Sequence, residues 1–213
     1  MRKIRFLAIL TIGLLCLCFA FVACEPNNGD NNGNQDGGKT IEGKVLIAYF
    51  SRTGENYSVG VIDKGNTAII AEMIAEETGG ELFEIQRKTP YSNVYSECVD
   101  EAQKEKNVNA RPELLESKNV LEYDIIFIGY PIWHADMPMP VYTFIEANDW
   151  TGKTVIPFCT HEGSGLSGTV NTITTKCAGA TVLNGLAVRG ATAQNQQAQA
   201  NQSVIDWLNG LNI

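Results

Sequence analysis

The sequence predicts a doubly wound α/β fold, a three-layer sandwich with a parallel sheet between two helical layers. Three observations carry this. Apolar, β-branched runs recur at 44–50 (KVLIAYF), 123–129 (YDIIFIG) and 154–158 (TVIPF), as parallel strands buried on both faces require. Segments of helical period lie between them. Each run ends in a turn rich in Ser, Thr, Gly or aromatic residues, and open α/β sheets bind ligands at the carboxyl ends of their strands.

Taken in order, the chain opens with a basic stretch (Arg2, Lys3, Arg5) and an apolar run to Val22, the pattern of a secretory signal over residues 1–23. Ala23-Cys24 looks like a bacterial lipoprotein box, with Cys24 as the lipidated residue. An uncleaved membrane anchor is the competing reading, because the apolar run is of borderline spanning length. Either way the domain is expected at the cell envelope, outside the cytoplasm. Residues 24–39 carry almost nothing apolar and read as a flexible linker. Residues 40–213 suit one domain with one core.

The first strand stops at Ser51-Arg52-Thr53-Gly54, and a helix starts near Gly65-Asn66-Thr67 and ends at Gly79-Gly80. Strand, hydroxyl-rich turn and helix N-terminus form an anion cradle, since free amides and the helix dipole point at one charge. Residues 60–67 match a P-loop except that Asn66 replaces the lysine that meets the phosphates, which argues against nucleotide hydrolysis. A second strand is predicted at 82–85. Tyr91, Val94, Tyr95, Cys98 and Ala102 then give a crossover helix with its aromatic stripe toward the core. Pro140 suits the first turn of a helix carrying Val141, Phe144 and Ile145. Val170 and Ile173 mark another helix, and residues 180–188 a fifth strand interrupted at Asn184-Gly185. A hairpin competes there, because Asn-Gly favours a type I′ turn. Ala200, Val204, Ile205 and Leu208 mark the closing helix.

The turn residues carry a resemblance. Residues 49–54 followed by Gly65-Asn66-Thr67 are similar to the flavodoxin phosphate loop, opened by an insertion at 55–64. The resemblance covers residues 44–208. It implies a five-stranded parallel sheet of order 2-1-3-4-5 and FMN as cofactor. Ser51, Arg52, Thr53, Gly54, Asn66 and Thr67 would hold the phosphate. Pro131, Ile132, Trp133 and His134 follow the third strand as in the loop that stacks an aromatic on the flavin ring, with Trp133 as stacker. Thr160, His161, Gly163, Ser164 and Gly165 look like the loop that meets the ring's pyrimidine side, with His161 near the reduced ring or a substrate. The insertion either covers the phosphate or shapes a partner site, and the sequence leaves open whether its Asn56 and Tyr57 touch the cofactor.

The resemblance also departs from the family. Flavodoxins keep a glycine beside the flavin, where a peptide flips to support the one-electron state. Here His134-Ala135-Asp136 has none, and a positive φ costs Ala about 1 kcal/mol or more relative to Gly. This implies weaker support of the one-electron state and a tilt toward two-electron chemistry.

Composition narrows the function. The chain has 16 Lys+Arg against 24 Asp+Glu, which disfavours nucleic acid and fits a basic partner surface. Cys98, Cys159 and Cys177 are widely spaced and form no zinc or iron–sulfur framework, though one disulfide is open to an exported protein. No Ser-His-Asp or nucleophilic cysteine constellation is present. Two redox functions compete: electron transfer to a partner protein, and an FMN-dependent reductase for a quinone-like acceptor. A third, from another class, is a cofactor-free binding module.

Overall fold

The structure is a computed structural model that describes residues 41–213; the expected signal, Cys24 and linker lie outside the described residues. Five parallel strands build the main sheet. β1 (Val45–Tyr49) lies between β4 (Glu81–Glu84) and β5 (Ile125–Pro131), and β6 (Thr154–His161) follows β5. The fifth position is shared by two short segments, β7 (Thr181–Val182) and β8 (Leu186–Arg189), both parallel to β6. The order is the expected 2-1-3-4-5, with a split last strand.

The split has a local cause. Val155 accepts from the Leu183 amide on the β7 side, so Pro157, two residues on, would present its amide to the same neighbour. It has none to give. The ladder breaks there, and Gly185 passes so near that a Cβ would stand 3.0 Å from the Pro157 carbonyl. The Asn184-Gly185 dipeptide therefore makes a bulge within a parallel edge, and the hairpin alternative is excluded.

Alternate residues of the strands face two cores. Leu46, Ala48, Ile126, Ile128 and Val155 point to the layer of α2 (Tyr95–Asn107), α3 (Met139–Glu146) and α4 (Thr169–Lys176). Val45, Ile47, Ile125, Phe127 and Ile156 point to α1 (Asn66–Thr78), α5 (Gly190–Asn195) and α6 (Gln197–Gly210). The period of two along each strand thus serves two helical layers at once. α1 ends where predicted, at Gly79 with φ 66°, a left-handed cap that glycine adopts without a Cβ penalty. Pro140 sits in the first turn of α3.

Some elements differ from expectation. The 55–64 insertion forms a small antiparallel hairpin, β2 (Gly54–Asn56) with β3 (Gly60–Ile62), so Gly60 opens a strand and the P-loop alternative falls. α2 starts at Tyr95, after Tyr91. Its predicted aromatic stripe divides: Tyr91, Cys98 and Ala102 are buried, whereas Val94 and Tyr95 are exposed. The three cysteines are free and buried, and burial pushes their thiols up to about 11 for Cys98 and about 12 for Cys159 and Cys177. Among the described residues no helix is long and apolar enough to cross a membrane.

Beyond β5 the chain turns back on itself. Trp133 and Asp136 exchange both backbone hydrogen bonds, each 2.9 Å, around His134 (φ 48°) and Ala135 (φ 59°). Two left-handed residues are the requirement of a type I′ turn, which normally selects Asn and Gly. Ala135 takes up the left-handed conformation despite its cost relative to glycine, because the paired bonds hold it there. Ala135 is exposed, so removing its methyl loses no packing. Ala135→Gly should raise stability by about 1 kcal/mol by relieving the positive φ. Urea unfolding measures this, and a loss of stability would show the turn to be unstrained.

Candidate functional site

β1, β5 and β6 end on the same edge of the sheet, and a cleft of about 230 Å³ opens there. Its floor is made by the strand ends: Pro131, Ile132, Thr160 and His161. α2 closes one side with Cys98, Val99 and Ala102, and the hairpin adds Asn56 and Tyr57.

Trp133 forms the aromatic element of this cleft. It is half-buried, with its ring edge-on to Phe50 at 5.4 Å and to Tyr91 at 5.2 Å. Such T-shaped contacts hold an aromatic ring in one orientation, each adding about 0.5–1.5 kcal/mol beyond burial. The adjoining turn is gripped from α2. The Lys106 ammonium donates to the His134 carbonyl at 2.5 Å and lies 3.7 Å from the Asp136 carboxylate. The His134 ring meets the Val99 carbonyl at 3.1 Å. His134 therefore serves to fasten the turn to α2.

The anion end is built at the start of α1. Gly65 caps the helix with no side-chain bond, and the Ala68 amide donates to the Ser51 hydroxyl at 3.1 Å. The turn folds so closely over Gly65 that a Cβ would meet Ser51 Oγ at 2.2 Å. Only glycine fits there. The Arg52 guanidinium is held by backbone carbonyls: Nε and Nη2 donate to the Ser92 carbonyl at 3.1 and 2.6 Å, and Nη1 donates to the Glu55 carbonyl. Arg52 thus fastens the hairpin to the segment before α2. Thr53 is exposed, and it and Ser51 line a neighbouring cleft with Arg87 and Tyr91, whereas Arg52 between them borders both clefts.

Two predicted phosphate ligands have other work. The Thr67 hydroxyl is buried and bonded to the Thr160 hydroxyl at 2.8 Å, which braces α1 against the end of β6. The Asn66 side-chain oxygen accepts from Gln194 at 2.9 Å, and Gln194 also donates to the Lys64 carbonyl. That packing depends on Gly190, where a Cβ would stand 2.1 Å from the Asn66 amide nitrogen. Gly54, at φ 78°, opens the hairpin.

After β6 the loop is organised by His161. Its Nδ1 accepts from the amides of Gly163 at 2.8 Å and Gly165 at 3.2 Å. An acceptor at Nδ1 leaves the proton on Nε2, so the ring is neutral. Burial first, then the nearby Arg189, holds its pKa below the usual 6.5. The Gly163 and Gly165 amides therefore turn inward to the imidazole, which corrects the expectation that they face a ligand; Ser164 stays exposed.

The cleft brings together Arg52, Asn66, Pro131, Ile132, Trp133, His134, Thr160 and His161 of the residues read from the sequence. It adds Tyr95, Cys98, Val99 and Ala102 from α2, and Glu162, whose carboxylate accepts from the Ala191 amide at 2.8 Å. The signal for α2 was present in its two small apolar positions, but only the crossover's placement shows that they face a cleft. Among the described residues no group of His, Cys, Asp and Glu could hold a metal ion.

The arrangement fits a planar ring carrying a phosphate. It offers an aromatic face, hydroxyls, a helix start capped only by Ser51 at the Ala68 amide, and the Arg52 guanidinium held by backbone carbonyls.

Comparison with known proteins agrees with this geometry. A flavoprotein assignment belongs to a structure from Bacteroides uniformis ATCC 8492 that is 32% identical, with a TM-score of 0.63, over 78% of this chain and 98% of that one. A second, from Bacteroides eggerthii DSM 20697, is 28% identical, with a TM-score of 0.64, over 80% and 99%. A flavoprotein from Lactobacillus acidophilus NCFM, solved in complex with FMN, shares the fold at 24% identity, with a TM-score of 0.54, over 73% and 99%. No curated protein matches significantly. The flavodoxin family model matches residues 44–204, three-quarters of the sequence, and the chain belongs to the flavodoxin family.

Proposed function

We propose that the cleft binds FMN and that the protein is an exported, lipid-anchored redox protein acting on a small quinone-like acceptor. The observation that carries this is the pinned, half-buried Trp133 lining the same cleft as Asn66, the first residue of α1. FMN supplies the electron-transfer chemistry when bound, and the protein supplies binding, orientation and electrostatics.

Each residue then has a defined task. Ser51, Thr53 and the amides of Asn66 and Thr67 receive the phosphate, helped by the helix dipole. Arg52 and Gly65 set the shape of that turn. Trp133 presents its face to the ring, and Lys106 keeps the His134 carbonyl turned to α2. His161 orders the pyrimidine-side loop as a neutral imidazole, so it brings no positive charge to the ring. Transfer between protein partners is the second reading, which the excess of acidic residues favours. Export and anchoring are supported by the basic start, the apolar run and Ala23-Cys24.

Purified protein mixed with FMN should turn yellow and quench the free flavin's fluorescence. Trp133→Ala should weaken binding by about tenfold or more, given the ~1.5 kcal/mol that an aromatic contact adds to its buried area. A colourless protein returns the cofactor-free binding module to first place. Anaerobic titration with reductant distinguishes direct two-electron reduction, expected of a reductase, from the two one-electron stages of a carrier.

His161 makes the loop sensitive to pH. Because its folded pKa lies below the unfolded 6.5, stability is complete above that value and declines as pH falls beneath it. With only two histidines in the chain, an NMR titration identifies the resonance. A midpoint below 6.5, and a melting temperature whose decline under pH 6.5 is smaller in His161→Gln, are the expected results. A midpoint above 6.5 contradicts the Nδ1 acceptor arrangement.

Anchoring is tested by Cys24→Ser. Expressed in a bacterial host, the wild type should partition with membranes and label with palmitate, and the variant should do neither. Equal partitioning without label points to an uncleaved apolar anchor.

A further inference from the structure

We propose that Tyr57 and Tyr95 form a second wall of the cleft, a stacking subsite for an uncharged, planar two-ring molecule, the acceptor class of the redox reaction. This rests on the reading of the cleft as the FMN site and assigns its outer half.

The two rings belong to different elements. Tyr57 stands at the tip of the β2–β3 hairpin and Tyr95 at the first residue of α2. They stack at a centroid distance of 6.1 Å and 29° between planes, and both line the cleft that holds Trp133. Tyr57 is 62% and Tyr95 38% exposed, so neither is a core residue. Large aromatic side chains left in water at the lip of a cleft mark a binding surface.

The pair is held in place. The Glu55 carboxylate accepts from the Tyr95 amide at 2.9 Å, and the Glu55 amide donates to the Asn93 carbonyl at 3.0 Å. Arg52 ties the hairpin to Ser92. The hairpin is thus braced to the start of α2 by hydrogen bonds at its base, and the aromatic pair is preorganised across the joint.

Charge selects the ligand. Outward from Trp133, the wall is Cys98, Val99, Ala102, Tyr95, Tyr57 and Asn56, with no ionised group. The charged residues of the cleft, Arg52 and Glu162, are both bonded to backbone. Those bonds leave both charges in place, but Tyr57, Tyr95, Cys98, Val99 and Ala102 carry none, so a charged ligand stacked on them would lose its hydration without a direct ion pair. A neutral ring system gains apolar burial and stacking.

The test uses purified, oxidised, FMN-loaded protein and menadione, a neutral two-ring quinone, with no reductant present, followed by isothermal calorimetry. Tyr57→Ala and Tyr95→Ala should each weaken menadione binding by about tenfold, Tyr→Phe at either position should restore it, and FMN affinity should stay within about twofold of wild type. A sulfonated naphthoquinone should bind about tenfold more weakly than menadione, through the desolvation of its charge. Unchanged menadione binding in both alanine variants overturns the subsite. So does a parallel loss of FMN affinity, which would make the tyrosines a wall of the cofactor site. Equal binding of the sulfonate overturns the claim of an uncharged ligand. If wild type takes up no FMN, the cofactor reading fails by itself. Menadione binding to the cofactor-free protein, lost in the alanine variants, then upholds the subsite, and its absence overturns it.

Discussion

The parallel register of β1, β5 and β6 is the constraint on which everything at this site depends. Tyr49 pairs with Gly129, and Gly129 with Phe158, so the strands carry Ser51, Pro131 and Thr160 to one edge. Parallel strands need crossovers that return across the sheet's faces, and those crossovers are the helices that bury both surfaces. The ligand edge and the two cores are therefore one arrangement. The register itself relies on close approach: a Cβ on Gly129 would lie 2.1 Å from the Phe158 ring, so the central ladder admits only glycine opposite that side chain.

On this edge, side chains expected to meet a ligand mostly brace the loops against each other. Thr67 reaches Thr160, Asn66 meets Gln194, Arg52 holds Ser92, and His134 meets the Val99 carbonyl. A buried hydroxyl or guanidinium left unpaired would cost one to several kcal/mol, so these bonds settle loop positions as well as satisfy polar groups. The result leaves backbone amides and a few hydroxyls to face an anion. Such a site suits a phosphate held by dipoles in a protein that is acidic overall.

The turn at His134 and Ala135 shows how strain and positioning combine. Two L-residues at positive φ cost about 1–2 kcal/mol each, which the paired Trp133–Asp136 bonds and the grip of Lys106 offset. The absence of glycine at this point consequently does not keep the backbone out of the left-handed region. It removes the ease with which the peptide would rotate out of it, so the carbonyl of His134 stays with α2. The hairpin opposite brings an aromatic residue, Tyr57, to a cleft that the strand-end loops alone would leave more open.

The chain by itself determined the fold class, the strand order through family resemblance, both ends of α1, and the three strand-end loops. Those features follow from local period, from the left-handed cap at Gly79, and from turn chemistry at Ser51 to Gly54, all carried by neighbouring residues. Tertiary structure alone decided the rest. Pro157 turned the apparent Asn-Gly hairpin into a bulge, because a missing amide matters only to the strand beside it. α2's crossover set the buried Cys98 and Ala102 against the cleft, added Val99 to it, and left Tyr95 exposed, although helical spacing assigned Tyr95 to the core. Thr67, Asn66 and His161 were recognisable as site residues, but the partners of their hydroxyl, amide and imidazole lie between 2 and 128 residues away. Spacing along a chain reports which residues share a face. What a polar group bonds to is settled only when distant segments are brought within hydrogen-bonding distance.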